Sequence, residues 1–439
     1  MIQPSALRHL TFTIALFFFV LPASVHAQNT PDRSEIFSNV ENLIDDQQYD
    51  EALHLLESLI NSDDPHIRAK ALRIGGQIHL AEREINSAVD KLNRSLNLSR
   101  TIFNRTEEAR SLYHLARAAI QSESFELAKQ QAEEAAVIAK HLGDEMLTYR
   151  IQNFLTYIYY MTDTDFYKIL DLETNVFHLV RRIGTPQQKA AAINNLGYDL
   201  TVAGTVPIDS TIALMNIANT LYAEMEGHNG RWYTLMNLTW QHRLKNNHEV
   251  SIKFGEMSLR QALTEEDRHA VIETAFQLGE TLMEMGKLDE AARQYEIGRI
   301  WRGIENDRDG FVFDVYYSRF LWNTGQQKEA VSLLEKAVDW LQQSEVFYEM
   351  HGRALLASYY LENDQYELAK QQLDILHDPR HNYISLETRC MSAIVHSRLL
   401  IKNQKKNLAE ALLKSWRNHT RQMGMNQLTL WLDEAFPGL

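Results

Sequence analysis

The chain has 439 residues, 45% of them apolar, and 58 acidic against 44 basic side chains leave a formal charge of −14. That charge favours solubility and disfavours non-specific binding to nucleic acid, while 8 prolines and 18 glycines exclude collagenous or low-complexity bulk. A single cysteine, Cys390, excludes an intramolecular disulfide and a structural zinc site built on thiolates.

The first 27 residues read as a signal peptide. Arg8 supplies positive charge, Leu10 to Leu21 is an apolar run, and Val25-His26-Ala27 fits a small-residue cleavage site. The run is short for a spanning helix, although the same segment left uncleaved would act as an anchor. Export without disulfides fits a bacterial periplasm, so the expected location is periplasmic or secreted. Residues 28–439 carry no Gly/Ser or Pro linker and read as one domain.

Along that domain a small residue recurs in the middle of an apolar helical stretch. The series is Val40, Gly76, Ala116, Thr156, Gly197, Thr239, Gly279, Ser318, Ala357 and Ser397, at gaps of 36 to 42 residues. Twelve residues later a second small residue follows in most units: Ala52, Ala88, Ala128, Ser251, Ala291, Ala330, Ala369 and Ala409. A two-point pattern at one period is the signature of a helical-hairpin solenoid. The spacing predicts ten hairpins, roughly over 33–60, 66–98, 106–140, 146–183, 187–225, 230–263, 267–302, 309–342, 346–377 and 384–420, with a C-terminal cap over 421–439.

In the first, Tyr49-x-x-Ala52-x-x-x-Leu56-x-x-Leu59 marks the second helix, and in the third Phe125-x-x-Ala128-x-x-x-Ala132-x-x-Ala135 does so. The fourth and fifth break the pattern, because Lys168 and Asp209 stand at the second small position and Gly204-Thr205-Val206-Pro207 replaces a tight turn. Either a bend or an inserted residue in each unit accounts for this. The seventh is the clearest. Ala275, Leu278, Gly279 and Leu282 form one stripe, Met285-Gly286-Lys287 a turn, and Leu288, Ala291, Ala292, Tyr295 and Gly298 the facing stripe. The ninth carries Tyr366-x-x-Ala369-x-x-x-Leu373. Between units, Gly184-Thr185-Pro186 supplies a C-terminal glycine, an N-cap and a first-turn proline in succession.

These second-helix spacings resemble the tetratricopeptide repeat (TPR) family, as do the pairs Leu115-Ala116, Leu196-Gly197, Leu278-Gly279 and Leu356-Ala357 of the first helices. The resemblance covers about residues 33–420. The units are longer than the family's usual repeat and resemble the extended repeats of bacterial regulators and extracytoplasmic sensor modules. The fold class it implies is all-α, a right-handed α-solenoid of about ten tetratricopeptide-like helical hairpins.

Catalytic spacings are missing: there is no His-Glu-x-x-His, no Gly-x-Ser-x-Gly and no phosphate loop. No cofactor and no metal is expected. His248-Glu249 and His269 with Glu273 read as solvated polar residues near helix ends. Glu305-Asn306-Asp307-Arg308-Asp309-Gly310 alternates carboxylates before a glycine, as calcium loops do. The closing acid would fall on Tyr316, so the segment reads as a turn capping the next helix.

The resemblance implies that first helices line a concave face. Positions six and three before each small residue, and one and four after it, then share that face. Over repeats two to ten they hold the basic residues Lys70, Arg73, Arg110, Arg117, Arg150, Arg243, Arg319 and Arg398 against only Glu273 and Glu280. Tyr113, Asn153, Tyr157, Tyr160, Asn194, Tyr198, Tyr233, Trp240 and Trp322 share it. Arg with Tyr and Trp is the composition of interaction hot spots, and Arg grips carboxylates bidentately. The competing reading is packing between repeats, with the arginines paired to acids on neighbouring helices.

The expected function is a non-catalytic, exported interaction scaffold that binds an acidic or extended peptide segment of a partner protein in this groove. Its expected site is Arg110, Tyr113, Arg117, Arg150, Asn153, Tyr157, Asn194, Tyr198, Tyr233, Trp240, Arg243, Arg319 and Trp322. The alternative is a periplasmic ligand- or peptide-sensing module that relays to a separate membrane signalling protein.

Overall fold

A computed structural model describes residues 33–437, apart from 163–165, 226–229, 304–306, 343–345, 380 and 382–383. Residues 1–27, read above as a signal peptide, lie outside the described residues. Among those described, regular structure is entirely helical. The chain runs through α1 (Arg33–Asp45), α2 (Tyr49–Ile60), α3 (Pro65–Ala81), α4 (Ile85–Thr101), α5 (Arg105–Gln121), α6 (Phe125–Leu142) and α7 (Glu145–Met161). It continues through α8 (Phe166–Ile183), α9 (Pro186–Ala203), α10 (Ile208–Ala223), α11 (Arg231–Leu244), α12 (His248–Thr264), α13 (Arg268–Glu284) and α14 (Leu288–Arg302). The last are α15 (Arg308–Asn323), α16 (Gln327–Leu341), α17 (Val346–Glu362), α18 (Tyr366–Leu376), α19 (Leu386–Lys402), α20 (Lys406–Gln422) and α21 (Asn426–Ala435). Consecutive helices pack as hairpins, and α21 closes the series. No helix among the described residues is long and apolar enough to cross a membrane.

The small residues lie where the two helices of a hairpin cross. Val40, Ala116, Thr239, Ser318, Ala357 and Ser397 are fully buried, as are Ala52, Ala88, Ala128, Ala291, Ala330, Ala369 and Ala409. A Cβ on Gly279 would stand 2.6 Å from the Tyr295 ring, and one on Gly76 would stand 2.6 Å from Leu92 Cγ. The bulky residue sixteen places after the small one thus fills the space that a missing side chain leaves.

Seven residues after the small residue the backbone turns left-handed. Gln47, Arg83, Glu123, Asn246, Asp364 and Gln404 have positive φ there, as do Gly204, Gly286 and Gly325. This residue ends the first helix and reverses the chain within three residues. Local N-caps start many of the first helices: Asp64, Asn104, Asp144, Thr185, Asp267, Asp307 and Ser385 each accept a hydrogen bond from a first-turn amide.

Repeats four and five keep the crossing and shift its register. In repeat four Ile169 is buried in place of exposed Lys168, a shift of one residue. In repeat five the left-handed Gly204 is in its usual place, but α10 starts two residues late, so Thr211 is buried in place of Asp209.

That late start forms the seat for the end of the chain. Ile208 N–H donates to Met423 O at 2.8 Å. Arg389 Nη2 donates to the C-terminal carbonyls of α9, at 3.3 Å to Val202 and 2.7 Å to Ala203. Leu386 packs on Gly204, where a Cβ would stand 2.6 Å from Leu386 Cδ2. On α21, Asn426 donates to Lys245 O at 3.3 Å, Gln427 bonds His248 at 3.1 Å, and Trp431 lies under Arg319 at 4.9 Å. Leu428 and Leu432 are fully buried, each worth about 1.5–3 kcal/mol of transfer free energy. The array from repeat five onward therefore closes into a ring, with α19 and α21 laid across its inner face.

Candidate functional site

Ring closure divides the expected groove into two zones. In the C-terminal zone the inner face is filled by the chain itself. Arg243 is 1% exposed. Its Nη1 donates to Glu284 at 2.7 Å, and its Nη2 donates to both carboxylate oxygens of Glu387 on α19 at 2.8 Å. Trp240 Nε1 adds a third hydrogen bond to Glu387, at 3.1 Å. Burial raises the Glu387 carboxyl, but Arg243, with His351 and Arg319 behind it, outweighs burial and holds it down to about 2. Arg319 pairs with Glu280, which also accepts from Tyr295 Oη at 2.7 Å.

The remaining predicted residues of this zone are packed as well. Asn194 is buried and accepts from Asn237 Nδ2 at 3.3 Å. Tyr198 lies 5.7 Å from the Trp240 ring and 6.3 Å from Phe347. Tyr233 meets Trp232 edge-on, and burial raises its hydroxyl. Trp322 stacks on Tyr359 at 4.0 Å and donates to Glu362 at 3.1 Å. Among the described residues this face holds a chamber of about 30 Å³ bordered by Tyr198, Trp240, Glu273, Tyr348, His351 and Glu387, room for about one water. Asn194, Tyr198, Tyr233, Trp240, Arg243, Arg319 and Trp322 therefore do not line an open groove. The physical reason is that α19 delivers a carboxylate to Arg243, and α21 covers the face beside it.

The N-terminal zone is open. Inner helices α1, α3, α5 and α7 enclose a cleft of about 740 Å³. Arg110, Tyr113, Arg117 and Arg150 line it together with Arg73, His114 and Asp144, and Glu41 and Asp45 contribute from α1. Arg73 is spent on Glu107 at 2.6 Å, and Arg110 lies 3.4 Å from Glu107 and 4.0 Å from Asp144. Arg117 stands over the Tyr113 ring at 5.9 Å. Neither Arg117 nor Arg150 has a carboxylate at ion-pairing distance among the described residues. The Phe154 ring meets Tyr113 edge-on at 5.6 Å and stacks with Tyr157 at 6.3 Å. Tyr157 is 47% exposed and Asn153 is exposed beside it, so an aromatic track leads from the cleft along α7.

His114 forms part of the cleft wall two places before Ala116, outside the four positions expected to face the groove. It is buried, its Nδ1 has no hydrogen-bond partner, and burial with Arg73, Arg117, Arg150 and Arg110 lowers its pKa well below the ordinary histidine range. It is therefore neutral in this arrangement. Glu387 was also missed, and no local signal marks it, since it meets Arg243 from 144 residues away.

Two buried acids mark the joint between the zones. Asp199 accepts from Tyr160 Oη at 2.6 Å and Glu173 from Asn195 Nδ2 at 3.5 Å, while one oxygen of each has no partner. Burial, without a compensating cation, raises Glu173 to about 7 and, with Glu173 nearby, raises Asp199 well above the usual carboxylate range.

The described carboxylates of the acidic turn, Asp307 and Asp309, are already engaged. Asp307 caps α15 through Gly310 N–H at 3.0 Å and takes Arg268 at 2.8 Å, and Asp309 pairs with His269 at 2.9 Å. Glu305 and Asn306 lie outside the described residues. His79, Glu82 and Glu84 bring potential ligand atoms within 4.8 Å of one another, the two acids exposed, and the grouping is accounted for by the 2.8 Å contact of His79 Nδ1 with Glu84.

No family model matches the sequence, and no curated protein matches it. Solved structures do match by fold. The apo quorum sensor NprR from B. thuringiensis aligns with a TM-score of 0.58 at 12% identity, over 79% of this chain and 97% of its own. Apo RapI gives 0.58 at 12% identity, over 85% and 99%. NprR in complex with its cognate peptide NprX gives 0.53 at 12%, over 79% and 100%. By fold, then, the chain is a tetratricopeptide-like α-solenoid.

Proposed function

We propose that the mature chain is an exported, non-catalytic scaffold that binds an extended peptide segment bearing a carboxylate, through the cleft of repeats one to four. One observation carries the reading: Arg117 and Arg150 border an open cleft with no ion-paired acid, whereas Arg243 and Arg319 further along are already neutralised. Two unpaired guanidinium groups beside the exposed Tyr157 and Asn153 provide charge-assisted hydrogen bonds, a stacking face and an amide for a peptide backbone. The fold likeness to NprR, which has been solved with a peptide, supports a peptide as occupant.

The test is capture of randomised short peptides, or of envelope proteins, by the immobilised mature chain and by Arg117→Glu/Arg150→Glu. The expected result is at least about a tenfold loss of retention, as for charge reversal at a steered site. Equal retention by the two proteins refutes the cleft assignment. Arg243→Glu is not a useful probe of binding, since it would place two buried acids against a third.

The likeness to a quorum sensor favours one refinement, in which peptide occupancy is relayed to a separate membrane signalling protein. Co-capture of a membrane kinase or cyclase that depends on added peptide distinguishes it from a static scaffold.

A further inference from the structure

The charges around the open cleft are sorted by helix. The α1 wall contributes Glu41 and Asp45 and no base, while α5 and α7 contribute Arg110, Arg117 and Arg150. Their one acid, Asp144, faces Arg110 at 4.0 Å and caps α7, so it is already committed. Glu41 and Asp45 are exposed and have no ion-pair partner among the described residues. They stand four residues apart on one helix face, where like charges repel. Each wall therefore holds uncompensated charge of one sign, and the low-dielectric cleft between them focuses the field.

Resting on the peptide-cleft reading, we propose that the occupant is dipolar and bound in one direction, with its cationic amino end against Glu41 and Asp45 and its carboxylate end against Arg117 and Arg150. A uniformly acidic segment would meet repulsion at the α1 wall, so acidity alone does not describe the ligand. The α1 wall stands two inner-helix steps from Arg117 on α5 and three from Arg150 on α7. At roughly 8–10 Å per step this is about 16–30 Å, the length of about five to nine extended residues, with seven at the middle. A free peptide of that size carries a positive charge at one end and a negative charge at the other without any charged side chain.

The experiment uses the full mature protein and three randomised heptapeptide pools: free at both ends, N-acetylated, and C-amidated. Each is tested on wild type, Glu41→Gln/Asp45→Gln and Arg117→Gln/Arg150→Gln, with thermal melts confirming that the substitutions leave the fold intact. On wild type, acetylation and amidation are each expected to cut retention by about fivefold, the upper range for a solvent-exposed ion pair. The acetylation effect should vanish on the α1 variant alone, and the amidation effect on the arginine variant alone. Exchanged dependences overturn the stated direction. Sensitivity to amidation with none to acetylation overturns the dipolar occupant while leaving a carboxylate-binding cleft. If wild type retains no pool above Arg117→Glu/Arg150→Glu, the peptide reading itself fails, and this inference fails with it.

Discussion

The ring closure rests on one carboxylate, and Glu387→Gln tests it. Glu387 is the second residue of α19, buried, and accepts two hydrogen bonds from Arg243 and one from Trp240. Glutamine preserves the volume and an acceptor for Trp240, but it leaves Arg243 buried against Glu284 alone. The Glu387 carboxyl is held at about 2 against an ordinary 4.5. At about 1.36 kcal/mol per unit this is roughly 3 kcal/mol. An independent route gives about 3–5 kcal/mol for removing one partner of a buried ion pair.

The folded pKa is depressed, so this contribution is present above the unfolded value near 4.5 and is lost as pH falls toward 2. The assay is amide hydrogen exchange across α19 and α21, with urea unfolding alongside. At pH 7 the variant should lose about 3 kcal/mol of opening free energy in those helices, and the gap to wild type should narrow steadily below pH 4.5. A loss under about 1 kcal/mol, or a gap unchanged between neutral and acid pH, refutes the reasoning. Arg243→Met with Glu387→Leu and Glu284→Gln should lose less than Glu387→Gln, because it removes the three mutually paired buried charges together.

Two further outcomes follow from packing and burial. Gly279→Ala should destabilise by about 1–3 kcal/mol in thermal melts despite the gain in helix propensity. Its Cβ would sit 2.6 Å from the fixed Tyr295 ring, whereas in Gly197→Ala the nearest atom is the flexible Met215 Cε at 3.1 Å, and that variant should lose less. Glu173 has a raised folded pKa of about 7, so its contribution is full below about 4.5 and is lost as pH rises through 7. Stability of the α7–α9 joint should fall by roughly 3 kcal/mol across that window. The groups facing the pair are Tyr149 and Tyr160 of α7 and Asn195 and Asp199 of α9. Glu173→Gln should flatten the dependence in melts between pH 5 and 8, and an unchanged slope would sink the argument.

The candidate site was only half legible in the sequence. Indexing each unit to its small residue placed Arg110, Tyr113, Arg117 and Arg150 together, and the structure brings them to one cleft. The same ruler placed Arg243, Trp240 and Trp322 on the same inner face, where the chain itself covers them. It missed Glu41, because the count of charges began at repeat two, and it missed Asp45 and His114, because those residues stand beside the indexed positions. The competing reading of arginines paired with neighbouring acids holds for Arg73, Arg243 and Arg319.

The sequence by itself determined the hairpin. A crossing needs a small residue opposite a bulky one sixteen places on, and a reversal needs a left-handed residue seven places on. Both requirements lie within one unit, and the small residue repeats visibly along the chain, whereas the left-handed position holds Gln, Arg, Glu, Asn, Asp or Gly and shows no common residue type. Tertiary structure alone decided which part of the inner face is open. Curvature accumulates from small rotations between many repeats, and no single repeat encodes their sum. Only that sum brings Glu387 to Arg243 and Met423 to Ile208, and so leaves the cleft of the first four repeats uncovered.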